Sequence, residues 1–484
     1  MKTLKEILED VNYKLINGSE DATIGKLQID SRKVQKGDCF IAIKGTASDG
    51  HLFIDKAIQA GASSIICSDV PDTRYEELNL IQVNNTRDNL GFIAANFFEK
   101  PSTQLKVWGV TGTNGKTTSS VILFKLFRKL GLNVGLISTI DIRINEEIIP
   151  TQLTTPDALT LQGIFAKMVD AQCDYVFMEV SSHALDQGRV NAIEFDVAAF
   201  TNISHDHLDY HKDMIEYIRV KKMFFDRLKK NAIAIINVDD KNGKVMIDNS
   251  QAEVKTYSLR TMADYKGKIM SQSFQGLHMK INEIEAYFKI VGAYNAYNLL
   301  TVVASSEALG LELEEFMPEL SAIDSADGRL ERIAIGNRYA FVDYAHTPDA
   351  LINVLETLNQ MKRKGEKLIT VVGAGGDRDK SKRPKMAKAA ARLSDRVILT
   401  SDNPRTENPE QIISDMEAGL NSELSTKVLK ITNRKEAIKT ACMLAREQDV
   451  ILVAGKGHEK YQDINGVKMP FDDKEIIKEI FKEL

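Results

Sequence analysis

Val107–Thr118 reads VWGVTGTNGKTT, and this stretch decides the fold. The apolar run Val107–Val110 breaks into a glycine-rich loop, Gly112, Thr113, Asn114 and Gly115, followed by Lys116, Thr117 and Thr118. An apolar, helix-compatible segment, SSVILFKLFRKL, comes next. Strand, loop and helix in that order offer backbone N–H groups and a helix N-terminus to phosphate oxygens. Lys116 can then reach the β- and γ-phosphates and Thr117 can hold Mg²⁺. The general phosphate-loop pattern has glycine where this chain has Val110, so the loop departs from the GTPase type. The alternative is a glycine-rich strand–helix turn without a ligand.

Working outward, the 484 residues exceed what one hydrophobic core supports and predict two to four domains. Hydrophobic residues make up 43% and charged residues 27%, the balance of a soluble globular protein. A net charge of −5 implies no basic surface and argues against a nucleic-acid partner. The N-terminal MKTLKEILEDV has a charged amphipathic helix pattern and no apolar secretory core. No apolar run reaches the length of a membrane span. The four cysteines, Cys39, Cys67, Cys173 and Cys442, are scattered in mostly apolar contexts. A reducing cytoplasm is the simplest expectation.

Three regions are expected. Residues 1–99 contain the short strands CFIAI and SSIIC around the helix-like HLFIDKAIQAG, a small α/β domain. EKPSTQ, Glu99 to Gln104, has linker composition. Residues 105–327 repeat an order of apolar strand, polar loop and helix, in NVGLIST, YVFMEVSSH, VAAFTNISHDHLDYH and AIAIINVDD. Continuous apolar strands predict a parallel sheet buried on both faces, with ligands at the strand ends. Residues 328–484 show the same order in RYAFVDYAHTP, LITVVGAGGDRDKSKRP, RVILTSDNPRTENP and VILVAGKGHEKY, a second open parallel sheet of the dinucleotide-fold type. The fold class is therefore α/β in three domains: a small N-terminal domain, a central P-loop parallel-sheet ATPase domain and a C-terminal dinucleotide-fold-like domain.

Six of the eight histidines fall in strand-end loops: His183, His205, His207, His211, His346 and His458. Glu179 ends the strand YVFMEV, where it either holds Mg²⁺ or caps the following helix. The spacing in SHDHLDYH fits neither zinc fingers nor zincins, and leaves a metal ligand and a hydrogen-bonding role both open. Paired Lys221 and Lys222 in EYIRVKKMFF read, by themselves, as a solvated helix face. Arg378 and the lysines of GAGGDRDKSKRP can bind an anion such as a carboxylate. In DNPRTENP, Asp402 suits an ammonium and Arg405 a carboxylate, the pair a zwitterionic ligand requires; a capped turn is the other reading.

TGTNGKTT, MEVSSHALDQGRV, HDHLDYH, NAYNLLTV, GRLERI, DYAHTPDAL, GAGGDRDKSKRP, DNPRTENP and AGKGHE occur in this order. With DSRKVQKGD at Asp30 they span almost the whole chain, and together they resemble the Mur ligase family. The Val110 departure is the form that family carries. The resemblance implies an ATP-dependent ligase of bacterial peptidoglycan synthesis, a cytoplasmic monomer, joining a diamino acid to the D-Glu of UDP-MurNAc-L-Ala-D-Glu through an acyl phosphate. It implies two Mg²⁺ ions, with Thr117, Glu179, His207 and a CO₂-derived carbamate on Lys221 as metal ligands, and Lys116, Lys221, Glu179 and His207 as the catalytic group. Asn298, Arg329, Asp343 and His346 join residues 112–118 around the nucleotide. Ser31 matches a residue of the UDP-binding domain, whereas GTASDGH departs from the His-Gln-Ala of some members and puts contacts from Thr46 to Ser48 in doubt. Thr154, Thr155, Ser181, Gln187 and Arg189 match positions that hold the UDP-MurNAc dipeptide. Arg378, Asp402, Asn403, Pro404, Arg405, Gly455 and Glu459 match diamino-acid ligands. DNPR resembles the meso-diaminopimelate form, whose second carboxylate Arg405 would meet.

Three substrates on three domains imply domain closure, with hinges expected near Glu99–Gln104 and Ala326–Gly328. The competing expectations are the lysine-adding enzyme, a folylpolyglutamate synthetase, or a P-loop regulatory NTPase acting on a protein partner.

Overall fold

The computed structural model describes residues 1–484 apart from Thr46, Ala47, Arg74, Glu76, Gln152, Leu208 and Asp209. The expectation for Thr46 thus lies outside the described residues, and Ser48 is exposed. The chain forms two compact units: residues 1–266 with 300–316, and residues 267–299 with 317–484.

In the first unit, the phosphate-loop strand Lys106–Thr111 lies among parallel strands of a larger sheet, six of which run side by side. Their spatial order is Val134–Ile137, Tyr175–Glu179, Lys106–Thr111, Val197–Phe200, Ile233–Asn237 and Glu253–Ser258. A hairpin, Ile142–Ile144 with Glu147–Ile149, adds an antiparallel edge. The chain builds one side of Lys106–Thr111 first and crosses to the other from Val197. The loop after Thr111 therefore opens where the strand order reverses, the place at which open α/β sheets bind ligands. Trp108, the chain's one tryptophan, is fully buried in this strand. Its indole Nε1 donates to Ser305 Oγ at 2.8 Å, and its ring meets Phe177 edge-on at 6.0 Å.

The same unit holds a smaller sheet of four parallel strands, Leu27–Gln28, Cys39–Ile41, Ser64–Cys67 and Asn79–Val83, with Tyr13–Asn17 antiparallel to the last. Two sequence expectations change here. The N-terminal amphipathic pattern yields only the helix Leu4–Ile7, because Lys2–Thr3 pairs as a strand with Thr23–Ile24 and Thr3 caps the turn that follows. The linker-like EKPSTQ is a tied-down 3₁₀ turn, Pro101–Gln104: Pro101 and Ser102 are buried, and Ser102 Oγ accepts from Glu194 N–H at 3.3 Å.

The second unit contains a sheet ordered Glu331–Ile335, Arg338–Asp343, Val450–Ala454, Leu368–Val372, Arg396–Leu399 and Val428–Lys430. All neighbours are parallel except the first pair. Helices Pro348–Met361, Lys382–Leu393 and Pro409–Glu417 bury apolar faces on one side. Arg434–Leu444 and Asp473–Glu483 do so on the other. The unit also carries an antiparallel meander through Gly276–Ile281 and Ile284–Phe288 that the sequence reading does not anticipate. All four cysteines are buried thiols. Among the described residues no helix is long and apolar enough to cross a membrane.

Candidate active site

The phosphate loop owes its shape to two glycines. Gly112 has φ +149° and Gly115 φ +90°, conformations that L side chains rarely adopt. Helix Lys116–Lys129 begins directly after Gly115 without a side-chain cap, the kind of helix start that suits an anion. Lys116 Nζ donates to Gly112 O and Thr113 O, both at 2.9 Å. Thr117 and Thr118 are buried at the helix start. The strand-end residues 201–204 brace the loop. Thr113 N–H donates to Asn202 O at 2.8 Å, Asn114 N–H donates to Asn202 Oδ1 at 3.0 Å, and Thr201 Oγ1 donates to Asn114 O at 2.6 Å. Alanine at Gly112 would set its Cβ 1.9 Å from Thr201 Oγ1. We therefore expect Gly112→Ala to remain folded but to lose nucleotide affinity by tenfold or more, read by titration with a fluorescent ATP analogue.

Glu179 lies opposite Val110 in the sheet register, one step below the loop, and is 1% exposed. It does not cap the next helix; Ser181 does, accepting from Ala184 N–H at 3.2 Å. The Glu179 carboxylate accepts from Thr139 N–H at 2.7 Å and Thr139 Oγ1 at 3.2 Å. Thr139 Oγ1 also lies 3.0 Å from Thr154 Oγ1. Thr155 Oγ1 donates to Glu179 O at 2.8 Å and receives Ser181 N–H at 3.2 Å. Arg189 holds Thr155 O at 2.7 Å and Gln187 Oε1 at 2.6 Å, and Gln187 Nε2 donates to Tyr210 OH at 3.1 Å. Thr154, Thr155, Ser181, Gln187 and Arg189 thus form one network beside Glu179.

Helix Met214–Asp226 separates the two adjacent lysines. Lys222 pairs with Asp226 on the outside, and Lys221 is 1% exposed. Lys221 Nζ donates to Gly112 O at 3.0 Å and Thr111 Oγ1 at 3.3 Å, and sits 4.8 Å from the Tyr217 ring centroid. Burial holds its pKa well below the usual lysine value, and the nearby charge of Lys116 adds to the effect. The solvated-face reading of Lys221 is therefore replaced: Tyr217, Val220, Lys221, Phe224 and Phe225 form the helix's buried stripe. His207 adopts φ +54°, and its ring stacks edge-on to His183 at 5.1 Å. Ser31 opens a short 3₁₀ turn in the smaller sheet's domain, capped by Asp30.

In the second unit, Asn298 Nδ2 donates to Asn295 Oδ1 at 2.7 Å. The Arg329 guanidinium lies 4.7 Å over the Tyr344 ring. Asp343 is buried, accepts from the N–H groups of Leu330 and Ala345, and has its pKa raised by that burial. His346 Nδ1 lies 2.9 Å from Tyr344 O. A second group gathers at the ends of three strands. Asn403 Nδ2 donates to Glu459 Oε2 at 2.7 Å, and Asn403 Oδ1 receives Lys456 Nζ at 2.9 Å. After Pro404, Arg405 at φ +51° is clamped by the hairpin Tyr461–Pro470. Its N–H donates to Asp463 O at 3.0 Å, its O accepts from Asn465 N–H at 2.8 Å, and its Nη1 reaches Gly376 O at 2.7 Å. A Cβ on Gly455 would lie 2.4 Å from Asp402 Oδ2, so glycine there leaves the carboxylate open. Arg378 lies close enough to Lys382 to lower its pKa, though burial of Lys382 contributes more.

Three family models match consecutive stretches: the Mur ligase family catalytic domain over residues 23–98, the Mur ligase middle domain over 110–306, and the Mur ligase glutamate ligase domain over 328–457. A protein of Cytophaga hutchinsonii named UDP-N-acetylmuramoyl-L-alanyl-D-glutamate–2,6-diaminopimelate ligase is 50% identical over 483 residues, covering 99% of each chain. The chain belongs to the Mur ligase family. A Bacteroides fragilis protein of the same name is also 50% identical, over 479 residues and 99% of each chain. A solved structure with that name matches at TM-score 0.74 and 33% identity, covering 100% of this chain and 99% of the other.

In this Mur ligase, sequence reasoning missed Thr139, Thr201, Asn202, Tyr210 and Tyr217, all of which bond or pack against candidate site residues. For Thr201 and Asn202 a signal existed: TN directly follows the apolar strand VAAF. Thr139 reaches Glu179 across two strands, and nothing local in the sequence marks it.

Proposed function

We propose that the protein joins meso-2,6-diaminopimelate to the D-Glu of UDP-MurNAc-L-Ala-D-Glu, using ATP, in cytoplasmic peptidoglycan precursor synthesis. The observation that carries this reading is the Asp402–Arg405 turn. It gathers a carboxylate, an amide and a guanidinium within four residues, beside the partly buried Glu459. Asp402 and Glu459 suit an ammonium group; Arg405 and Arg378 suit carboxylates. Lysine lacks the second carboxylate that would repay Arg405.

A carboxylate at neutral pH is a poor electrophile and therefore a poor acyl donor. Transfer of the ATP γ-phosphoryl group to the D-Glu side-chain carboxylate makes an acyl phosphate and ADP. The diaminopimelate amine adds to the acyl carbon, and the tetrahedral intermediate collapses with loss of phosphate. The amine's proton leaves to solvent or a base. The protein's part is positioning and charge compensation. Lys116 serves the γ-phosphoryl group, and Arg189, Gln187 and Thr155 serve the dipeptide.

Mg²⁺ would draw on Thr117, Glu179, His207 and a carbamate on Lys221, and would neutralise phosphate charge. Among the described residues no three His, Cys, Asp or Glu side chains converge on a metal position. Mg²⁺ needs no such cage, because one or two carboxylates plus substrate phosphates satisfy it. The test is an acceptor panel with purified protein, ATP, Mg²⁺ and UDP-MurNAc-dipeptide. Phosphate release and a product mass increased by one diaminopimelate are expected with meso-diaminopimelate alone. Equal turnover with lysine overturns the acceptor assignment, and ATP hydrolysis without any acceptor overturns the ligase reading.

A further inference from the structure

Arg434 belongs to none of the groups named so far. It opens helix Arg434–Leu444 and is entirely buried. Its Nε and Nη2 bind both oxygens of Asp473 at 2.8 and 2.7 Å, and Nη2 also donates to Ala454 O at 3.1 Å. Three of its bonds are thus spent on fixing the guanidinium plane. The remaining nitrogen, Nη1, has no hydrogen-bond partner and points to Asp402 Oδ2 at 4.0 Å. Asp402 Oδ1 is already occupied by Asn403 N–H at 2.7 Å. The Oδ2 atom is therefore bounded by Arg434 on one side and by the bare Cα of Gly455 on another.

A buried donor left unpaired is costly unless something else requires its position. The surrounding charges suggest what that is. Arg434 and Lys456 are fully buried cations, and Asp402, Asp473 and Glu459 are three carboxylates of at most 16% side-chain exposure. Asp402 lies near enough to Glu459 to help raise its pKa, after the larger effect of burial, and an ammonium ligand between two such carboxylates relieves that repulsion. We infer that Arg434 is a positioning residue for the amino-acid substrate, anchored by Asp473 and acting through Asp402. Its Nη1 fixes one side of the Asp402 carboxylate so that the other side meets the substrate ammonium. This rests on the reading that the Asp402–Arg405 turn binds the diamino acid.

Replacing Arg434 alone would strand two carboxylates, so the test exchanges the pair. Removing both members of a buried ion pair is tolerated where removing one is not. The variant Arg434→Met with Asp473→Leu keeps the volume, and the helix cap stays intact because it is Asp472. Four proteins form a cycle: the unaltered chain, the paired variant, Asp402→Asn, and the triple variant. The readouts are KM for each substrate, kcat and a thermal melt. The paired variant is expected to raise KM for meso-diaminopimelate about tenfold, leaving KM for ATP and UDP-MurNAc-dipeptide within about twofold. In the Asp402→Asn background the same exchange should add less than about twofold, because the group it acts through is gone. Multiplying effects, or an unchanged KM, overturn the inference while leaving the site reading intact. An unchanged KM in Asp402→Asn alone overturns both. Should the paired variant melt early, Arg434→Lys replaces it in the cycle, with the same non-additivity expected and additivity decisive against the proposal.

Discussion

Lys221→Ala is expected to lower turnover by about a thousandfold while the protein stays folded, and short carboxylic acids such as acetate should restore part of the loss. The reason lies in where the amine sits. It is enclosed beside the phosphate loop, bonded to Gly112 O and Thr111 Oγ1, with the charge of Lys116 nearby. Burial and that neighbouring cation both disfavour the ammonium form. A neutral amine is a nucleophile for CO₂: the N–C bond forms, a proton leaves, and the product is a carbamate anion. Such an anion would reverse the local electrostatics and would offer Mg²⁺ an oxygen ligand.

The linkage has a definite sign. Between the depressed folded value and the ordinary lysine value, the unfolded chain holds a proton that the folded chain lacks. Stability therefore rises with pH across that window, and falls as acidification forces the proton in. Activity in CO₂-depleted buffer should fall as pH is lowered and recover on adding bicarbonate. A ¹³C-bicarbonate NMR signal that disappears in Lys221→Ala would report the carbamate directly. Full activity in the alanine variant, or the same ¹³C signal without the lysine, ends this reading.

Lys116→Met should abolish phosphoryl transfer, again by about a thousandfold, with a smaller loss in nucleotide binding. In the structure the ammonium is held by Gly112 O and Thr113 O, carbonyls of its own loop. It can exchange those neutral acceptors for phosphate oxygens when the nucleotide arrives, a stronger charge-assisted bond. Methionine matches the stem and removes the charge. Hydroxylamine trapping separates the steps. With ATP and UDP-MurNAc-dipeptide but no diaminopimelate, the unaltered protein should yield a hydroxamate on the D-Glu side chain. Lys116→Met should yield none, while still binding a fluorescent ATP analogue. Hydroxamate at an undiminished rate would remove Lys116 from the chemistry.

The phosphate loop and the parallel sheets were legible because strand, glycine loop and helix follow one another within a dozen residues. Lys221 was legible only in part. The buried stripe Tyr217, Val220, Phe224 has helical spacing that points to Lys221 rather than Lys222, but adjacency alone favours neither. Thr139, Tyr210 and Arg434 were not legible. Their partners lie 40, 23 and 39 residues away, and the strand order that unites them is a tertiary fact. The antiparallel meander escaped because Tyr265–Ser273 alternates poorly, burying only Gly267 fully. The helical pattern at the N-terminus overran because propensity yields to strand pairing at Lys2–Thr3.

The isolated indole of Trp108 makes the central sheet its own optical reporter. With no other tryptophan in the chain, emission excited at the red edge comes from one dry site beneath the nucleotide loop, tethered to Ser305. Melting of that sheet will shift the spectrum to longer wavelength without any label, while loosening confined to the smaller N-terminal sheet or the C-terminal region will leave its colour unchanged.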